Sequence, residues 1–281
     1  MKKVAGRYSR GYGQHPGAFP SIRRNHPRCQ NLFADWDFTS LGPNNTVTQV
    51  PMMYDTTRKG GGLAAHTGSG PGISYPITPW GVGVYLDGFS RLSMDSQSGF
   101  WGTNTFKQPF TVQVVLNAVS PSDPTSAYTV PFQVPANFSG SAEDTVSLYW
   151  NHPTAGANRA WQGHSIAAGG WVRVQYPNPL VAGTWYDLAV TVDGQNNWVI
   201  YQNGVAVGSA NVGYAVDPGT DMAGGASGPG CLLGCANNTG HTGLWRFWNG
   251  TYQFIRLWTR VLSAWEIGDV HAKPYAHYQA D

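Results

Sequence analysis

After residue 30, the chain alternates between apolar and polar residues in short stretches, a pattern typical of β-strands with one buried face. Between residues 110 and 119, every second residue is aliphatic from Val112 onwards, with Thr111 and Gln113 between them. The same alternation runs through residues 188–192. This period of two predicts strands of a pleated sheet that buries one face.

The section 184–210 contains the clearest predicted motif. Two dipeptides divide its apolar stretches, Asp193-Gly194 and Asn203-Gly204. Both supply residues that adopt the positive φ angles required by tight hairpins. The section therefore predicts three consecutive antiparallel strands joined by two tight turns.

The rest of the chain has shorter apolar stretches separated by turn-forming residues, and the spacing of Ser263 and Glu266 predicts one short helical turn. About a dozen short strands without a long helix predict an all-β fold, a two-sheet antiparallel jelly-roll sandwich. Further strands are predicted at Leu32–Phe38, Val84–Met94, Val146–Trp150, Trp171–Tyr176 and Gly250–Arg260, and glycine-rich loops at 57–72 and 214–230.

Residues 1–30 lack an apolar period and predict an extended basic arm that precedes a single domain at 31–281. The remainder after residue 28 has 10 basic and 15 acidic residues, a net charge of −5. Basic arms bind nucleic acid, membranes or acidic protein surfaces. Seven charges over 28 residues are too few for a typical nucleic-acid tail, so we expect an acidic protein partner. The seven anchoring residues are Lys2, Lys3, Arg7, Arg10, Arg23, Arg24 and Arg28.

Composition narrows the setting in which the protein works. Charged residues make up 11% of the chain, against about 25% in average proteins. A surface so poor in charge associates readily, which predicts a protein that lives inside an assembly. A secreted glycan-binding protein is the alternative, because it also favours Asn, Ser, Thr and Trp. We expect no membrane contact, since no stretch reaches the roughly 18 apolar residues of a membrane span. The basic start is not followed by the apolar segment of a secretory signal.

Four stretches resemble the motifs of one superfamily, in its order. Two of them, W-Y-D-L-A-V-T-V-D-G with I-Y-Q-N-G and G-T-Y-Q-F-I-R-L-W-T-R-V-L-S with E-I, are fairly specific. The chain thereby resembles the laminin-G-like, concanavalin A-like lectin/glucanase superfamily over about 31–270. The resemblance implies a sandwich fold, but it leaves function open, because that sandwich hosts lectins, adhesion modules, hydrolases and virion proteins. The stretches are Leu32–Phe38, Leu86–Met94, 185–204 and 250–267.

One position departs from the resemblance. Where the superfamily often has two acidic residues, this chain has Gln253 and Phe254. A charge-based role for that strand is therefore not expected.

Glycoside hydrolysis is the main enzymatic option that the resemblance implies. It requires two carboxyl groups about 5–9.5 Å apart. The E-x-D-x-x-E motif of the superfamily's hydrolases is absent, and the two glutamates, Glu143 and Glu266, are far apart in the sequence. Asp35 and Asp37 could share one strand face and are the remaining hypothesis for an acid pair. We expect a protein that is not an enzyme.

Calcium is the one cofactor that the sequence offers, since many laminin-G-like domains bind it at loop tips. Asp217 and Asp221, in the turn Asp-Pro-Gly-Thr-Asp, are the candidate oxygen ligands. Both residues could equally be turn formers.

Glycan binding requires exposed aromatic rings beside amide donors. Most of the 12 tryptophans must lie in the core or in an interface. The candidates that flank predicted loops are Trp161, Trp171, Trp245, Trp248 and Asn249.

These observations favour a non-enzymatic structural or interaction protein. We expect a jelly roll that decorates a phage capsid or tail, is anchored there by its arm, forms a homo-oligomer and contacts a host-surface glycan. The alternative is a secreted or cell-surface bacterial glycan-binding module that uses Ca²⁺.

Overall fold

The computed structural model describes thirteen segments of the chain that together form one β-sandwich. They are residues 26–38, 63–67, 72–94, 108–120, 128–134, 145–151, 160–165, 170–177, 181–211, 213–215, 231–237, 244–245 and 247–276.

The described residues form 19 strands, one short 3-10 helix at Pro27–Cys29 and one α-helix. The strands are β1 (Leu32–Asp37), β2 (Leu63–His66), β3 (Ile73–Ser74), β4 (Ile77–Thr78), β5 (Gly81–Val82), β6 (Val84–Asp87), β7 (Arg91–Met94), β8 (Phe110–Ser120), β9 (Tyr128–Val134), β10 (Thr145–Asn151), β11 (Ala160–Ser165), β12 (Gly170–Gln175), β13 (Trp185–Val192), β14 (Asn197–Gln202), β15 (Val205–Asn211), β16 (Cys231–Leu233), β17 (Ala236–Asn237), β18 (Leu244–Trp245) and β19 (Asn249–Trp258). The α-helix is α1 (Ala264–Ala272).

The strands pair into two large antiparallel sheets and two small ones. Sheet I has the order β15-β14-β13-β8-β19-β6-β3, and β1 also pairs with β19. Sheet II has the order β12-β11-β10-β9-β16-β7-β2. The hairpins β4-β5 and β17-β18 stand apart from both. This two-sheet antiparallel sandwich confirms the predicted all-β class.

The core lies between the two sheets. Side chains of β8 and β13 in sheet I join those of β9, β10 and β11 in sheet II in one apolar cluster. Trp150 of sheet II meets Tyr186 of sheet I edge to face, with ring centroids 6.1 Å apart. The hydroxyl of Tyr252, on sheet I, also donates to the carbonyl of Pro131, on sheet II, over 2.5 Å. The alternating aliphatic positions of the sequence thus form the inward face of these strands.

The outward face of sheet I is buried as well, and it is polar. Arg256 on β19 and Asp35 on β1 are register partners, fully buried, and form an ion pair with a 3.0 Å Nε–Oδ1 distance. Gln113 on β8 is the next residue in this row. Its amide donates to both carboxylate oxygens of Asp187, on β13, at 2.9 Å each. A charged layer of this kind requires a cover that excludes water without leaving charges unpaired.

Helix α1 supplies part of that cover. Ser263 and Glu266 form the capping box that the sequence predicts, although the helix runs for nine residues and not for one turn. Near its end, Nδ1 of His271 lies 3.0 Å from Oδ2 of Asp187. The hydrogen bond that the Asp187 carboxylate accepts from this ring raises the pKa of His271, and partial burial offsets some of that rise.

Residues 26–31 belong to the body and not to a free arm, which corrects the predicted boundary at residue 31. Arg28 is buried and binds Asp269 of α1 through an ion pair, and it also donates to the carbonyl of Lys273. The carbonyl of Arg28 accepts from the indole of Trp258 at 2.8 Å. Arg28 is therefore committed to its own domain, and its predicted anchoring role is wrong for this residue.

Two predicted elements differ from the structure. The predicted loop at 57–72 contains β2, which pairs with β7 far along the chain. Non-local pairing of this kind leaves no local signal. The predicted strand Val84–Met94 is two strands, β6 and β7, because Gly88 adopts φ 85° between them. There the chain passes from sheet I to sheet II.

Within the described segments, no helix has both the length and the hydropathy of a membrane span.

The ion pair on sheet I generates the first prediction. The substitution Asp35→Asn leaves the buried Arg256 charge without a counter-charge and should lower the free energy of unfolding by about 3–5 kcal/mol. Urea unfolding followed by tryptophan fluorescence measures this change. The control is Lys273→Gln, which breaks an exposed ion pair with Asp269 and should cost less than about 1 kcal/mol. Equal effects of the two substitutions would contradict the assigned role of the buried pair.

The second prediction concerns pH. Because the folded protein raises the pKa of His271 above its ordinary value of 6.5, it holds this proton more tightly than the unfolded chain does. The contact with Asp187 therefore stabilises the fold fully below pH 6.5, and this contribution is lost as the pH rises through the raised pKa. The stability difference between wild type and His271→Gln should be larger at pH 5.5 than at pH 8.5 in urea unfolding. A difference independent of pH would show that His271 does not act through its charge.

Candidate functional site

A pocket of about 190 Å³ opens on the outward side of sheet I, beside the end of α1. Strands β8, β13 and β19 form its floor, and the turn between β4 and β5, the turn between β14 and β15, and α1 form its walls. Its lining residues are Trp80, Val115, Trp185, Tyr186, Asp187, Asn203, Phe254, His271 and Pro274. It therefore combines aromatic, carboxylate, amide and imidazole groups in one concave place, which is the usual composition of a small-ligand site.

Two tryptophans form the aromatic wall. The ring centroids of Trp80 and Trp185 are 5.2 Å apart and their planes are 87° to each other, so the edge of one ring meets the face of the other. Both side chains are half-buried. Edge-to-face contact is a favoured geometry for an aromatic pair, and it leaves aromatic surface for a ligand.

Trp80 is positioned by a core strand. It lies in the turn of the hairpin β4-β5, and Oγ1 of Thr78 in that hairpin hydrogen bonds to the side-chain oxygen of Gln253. The amide of Gln253 also donates to the carbonyl of Val82 at 3.1 Å. Gln253 is fully buried, so it ties the hairpin to β19. This gives a structural role to one of the two positions that depart from the acidic pattern.

The second departing position, Phe254, lines the pocket floor. Its ring also receives the guanidinium of Arg256, whose Cζ lies 3.9 Å from the ring centroid. The register shifts between Tyr252 and Phe254 along the β8–β19 ladder, as in a β-bulge. An acidic residue at 254 would place a carboxylate where this structure has apolar surface.

The polar wall is built around Asp187. Its carboxylate takes two hydrogen bonds from Gln113 and one contact from His271, and only 7% of its side chain is exposed. Its backbone N–H donates to Oδ1 of Asn203 at 3.0 Å. His271 is more accessible, with 40% of its side chain exposed.

The tight turn at Asn203-Gly204 holds the amide and the imidazole close together. Both residues have positive φ angles, 51° and 81°, as the sequence predicts for this hairpin. A Cβ at position 204 would lie only 3.0 Å from Cβ of His271, so glycine is needed there for space as well as for conformation. The turn thus fixes the distance between β14 and α1.

The arrangement suits binding better than hydrolysis. The aromatic wall can stack on an apolar face, while the carboxylate, amide and imidazole exchange hydrogen bonds with hydroxyl groups. Of the described residues that line the pocket, Asp187 is the single carboxylate. The usual glycosidase mechanisms require two carboxyl groups.

Two of the predicted glycan contacts lie in the core. Trp161 is fully buried and its indole donates to the hydroxyl of Tyr176 at 2.8 Å. Trp248 is 1% exposed and packs on Tyr252 with ring centroids 4.5 Å apart. Neither ring has a face available for a sugar, so both predictions are wrong in this structure. The sequence predicts both indoles at the surface because their neighbouring residues are typical of loops.

The other predicted residues have different outcomes. Trp171 is the second residue of β12 and Trp245 is the last residue of β18. Their role as glycan contacts stays a prediction. Asn249 is half-buried at the start of β19, away from the pocket lining. Asp217 and Asp221 lie outside the described residues, and so do Lys2, Lys3, Arg7, Arg10, Arg23 and Arg24.

No group of three or more His, Cys, Asp or Glu that could hold a metal ion occurs within the described segments. Calcium binding by Asp217 and Asp221 thus stays a prediction. The hypothesis of an acid pair at Asp35 and Asp37 is weakened, because both carboxylates are buried and Asp35 is paired with Arg256.

Sequence analysis missed the residues that form the pocket. Trp185 and Asp187 belong to a motif that indicated the fold, and a charged residue inside an otherwise apolar strand was the available signal. Trp80 and His271 have no such signal, because they reach the pocket from segments about 190 residues apart.

Among the solved structures similar to this chain are three structures of two domains, all below 25% identity, which bear on the fold alone. Domain 4 of AbnA, a GH43 extracellular arabinanase from Geobacillus stearothermophilus solved in complex with arabinotriose, is 19% identical with a TM-score of 0.57; the match covers 86% of this chain and 98% of that one. The CBM40 of the IT-sialidase from Ruminococcus gnavus is 14% identical with a TM-score of 0.52, covering 67% and 96%. The same domain bound to α2,3-sialyllactose is 14% identical with a TM-score of 0.50, covering 74% and 98%.

No curated protein matches the chain in a sequence comparison. A family model does match it, that of the concanavalin A-like lectin/glucanases superfamily, over residues 102–268. The match covers more than half of the chain and includes β8 to β19 and the start of α1. It also agrees with the superfamily indicated by the motifs and with the two-sheet fold. The chain belongs to the concanavalin A-like lectin/glucanase superfamily.

Proposed function

We propose that this protein is a non-catalytic glycan-binding module that holds a sugar residue in the pocket between Trp80, Trp185 and His271. The observation that carries the proposal is the edge-to-face tryptophan pair facing a wall of carboxylate, amide and imidazole groups. A sugar ring has the matching chemistry, because its C–H faces are apolar and each hydroxyl both donates and accepts a hydrogen bond.

The size of the pocket supports a short ligand segment. Its volume of about 190 Å³ equals that of roughly six water molecules in the liquid, at about 30 Å³ each. One sugar ring fits such a space, and the rest of an oligosaccharide would lie outside. Two of the similar domains support this class of ligand, since they were solved with arabinotriose and with α2,3-sialyllactose.

The chemistry of the pocket lining supports binding over hydrolysis. Of the described lining residues, only Asp187 carries a carboxyl group, and it is engaged by Gln113 and His271. General acid–base cleavage of a glycosidic bond uses a second carboxyl group across the sugar. The function expected here is therefore retention of a glycan and not turnover.

Removing one aromatic ring of the pocket tests the proposal. The substitutions Trp185→Ala and Trp80→Ala should each weaken glycan binding about thirtyfold, or by about 2 kcal/mol, as truncation of a central tryptophan typically does. Isothermal titration with the glycan that binds wild type best on an array measures this loss. Trp265→Ala is the matched control, because Trp265 is 75% exposed on α1 and does not line the pocket.

Binding that is unaffected by both pocket substitutions would move the glycan site elsewhere on the protein. Binding equally weakened by Trp265→Ala would indicate non-specific association through exposed tryptophan.

For the setting of the module we propose a particle such as a phage virion, with residues 1–25 as its anchor to a capsid or tail protein. The support is the concentration of basic residues in this part of the sequence, opposite a net charge of −4 in the remainder, which has 11 basic and 15 acidic residues. The alternative setting is a secreted or cell-surface lectin that binds Ca²⁺ through Asp217 and Asp221. Glycan binding that is lost on adding EDTA would favour this alternative.

Deleting residues 1–25 tests the anchor. The deletion keeps Arg28 and the rest of the segment 26–31, which the domain needs, so the shortened protein should fold and still bind glycan. The shortened protein should no longer sediment together with phage particles purified from the bacterium that carries the gene, whereas the full chain should. Unchanged attachment after the deletion would rule out the arm as the anchor.

A further inference from the structure

We infer that the pocket selects neutral sugars with free neighbouring hydroxyls and rejects sugars that carry a carboxylate. This inference rests on the proposed function and adds the chemical class of the ligand. It follows from the hydrogen-bonding capacity left on the three polar groups of the pocket and from the pairing of the cations around it.

The first step is the capacity of Asp187. A carboxylate is an acceptor only, with about four acceptor positions on its two oxygens. Gln113 uses one position on Oδ1 and one on Oδ2, and His271 uses the second on Oδ2. One acceptor position on Oδ1 is left, and the pocket is lined by this residue. A hydroxyl can donate to it, whereas a ligand carboxylate has no proton to give.

The second step is the set of donors beside it. Oδ1 of Asn203 accepts from the backbone of Asp187, and within the described structure the Nδ2 amide makes no hydrogen bond. Two N–H donors are therefore left for a ligand oxygen. Nε2 of His271 adds a third polar position, because Nδ1 is engaged by Asp187. The remaining acceptor position of Asp187 and the unused N–H donors of Asn203 therefore match two neighbouring hydroxyls of a sugar. One hydroxyl donates to Asp187 and the other accepts from Asn203.

The third step is charge. A ligand carboxylate in this space would lie next to the Asp187 carboxylate, and like charges at close range repel strongly where water is excluded. His271 already forms its ion contact with Asp187. The neighbouring guanidinium of Arg256 is buried against Asp35, and both Arg28 and Lys273 bind Asp269. Each of these cations already contacts a carboxylate of the protein, so among the described residues around the pocket none offers the forked guanidinium contact that acidic sugars prefer.

The apolar floor points the same way. Phe254 and Val115 form an apolar surface on the pocket floor. A ligand carboxylate placed against it would lose its water shell and gain no hydrogen-bond donor in return, which is unfavourable. A C–H face of a neutral sugar ring loses nothing on that surface.

The test compares matched neutral and acidic glycans on the full chain. An array should carry arabino-, gluco- and galacto-oligosaccharides together with their uronate and sialylated counterparts. For the best neutral glycan and its acidic counterpart, isothermal titration should give at least tenfold weaker binding of the acidic one. The substitution Asp187→Asn removes the negative charge, keeps an acceptor oxygen, and should reduce this ratio to less than threefold.

The outcomes separate this inference from the proposed function. Acidic glycans that bind as tightly as neutral ones, with binding lost in Trp185→Ala, would overturn the selectivity and leave the glycan-binding pocket in place. Absence of binding to every glycan on the array would overturn both. If Asp187→Asn unfolds the protein, a second measurement takes the place of this variant: the ratio of neutral to acidic glycan affinity of the wild type, measured at 50 mM and at 500 mM salt. Repulsion by Asp187 is screened by salt, so the ratio should fall, and a constant ratio would contradict the role of charge.

Discussion

The buried ion pair of Arg256 and Asp35 is the constraint on which the outer half of the structure depends. An arginine and an aspartate without solvent contact are tolerated only where their surroundings exclude water and satisfy their charges. In this protein the surroundings are α1, the segment 26–31 and the residues that follow the helix, all of which pack on the outward side of sheet I. The sandwich therefore has three layers at this place, although its family architecture has two.

The pocket lies where this third layer ends. Towards β1 the layer covers charge completely, and towards β14 it leaves Asp187 and Asn203 in contact with an open space. Gln253 and Phe254 stand on the boundary between these regions. The first carries the hairpin that presents Trp80, and the second separates the guanidinium of Arg256 from the ligand space. The two positions at which the sequence indicates the loss of a charged function are thus the ones that build an aromatic site.

The sequence contains enough information for the sheets and too little for the site. The alternation within β8 and the two tight turns on either side of β14 are local signals in the sequence. Strands β8 and β14 were therefore predicted close to their observed bounds. Strand β2 was missed because its order comes from pairing with β7, and α1 was predicted too short because its length depends on docking. Trp161 and Trp80 have comparable sequence surroundings, yet one is core and the other lines the pocket. Only the three-dimensional path of the chain separates them.

The contact between Arg28 and Asp269 has a mechanical consequence. A pull on the residues that precede His26 first loads Arg28 and the short 3-10 helix around it. Because the guanidinium is held by the helix that carries His271, part of the tension from that side reaches one wall of the pocket, while the hydrogen bond from Trp258 to the Arg28 carbonyl passes the rest to β19. The ion pair is therefore one of two mechanical links at the start of the domain, and it is the link through which a force on that segment would act on the ligand space.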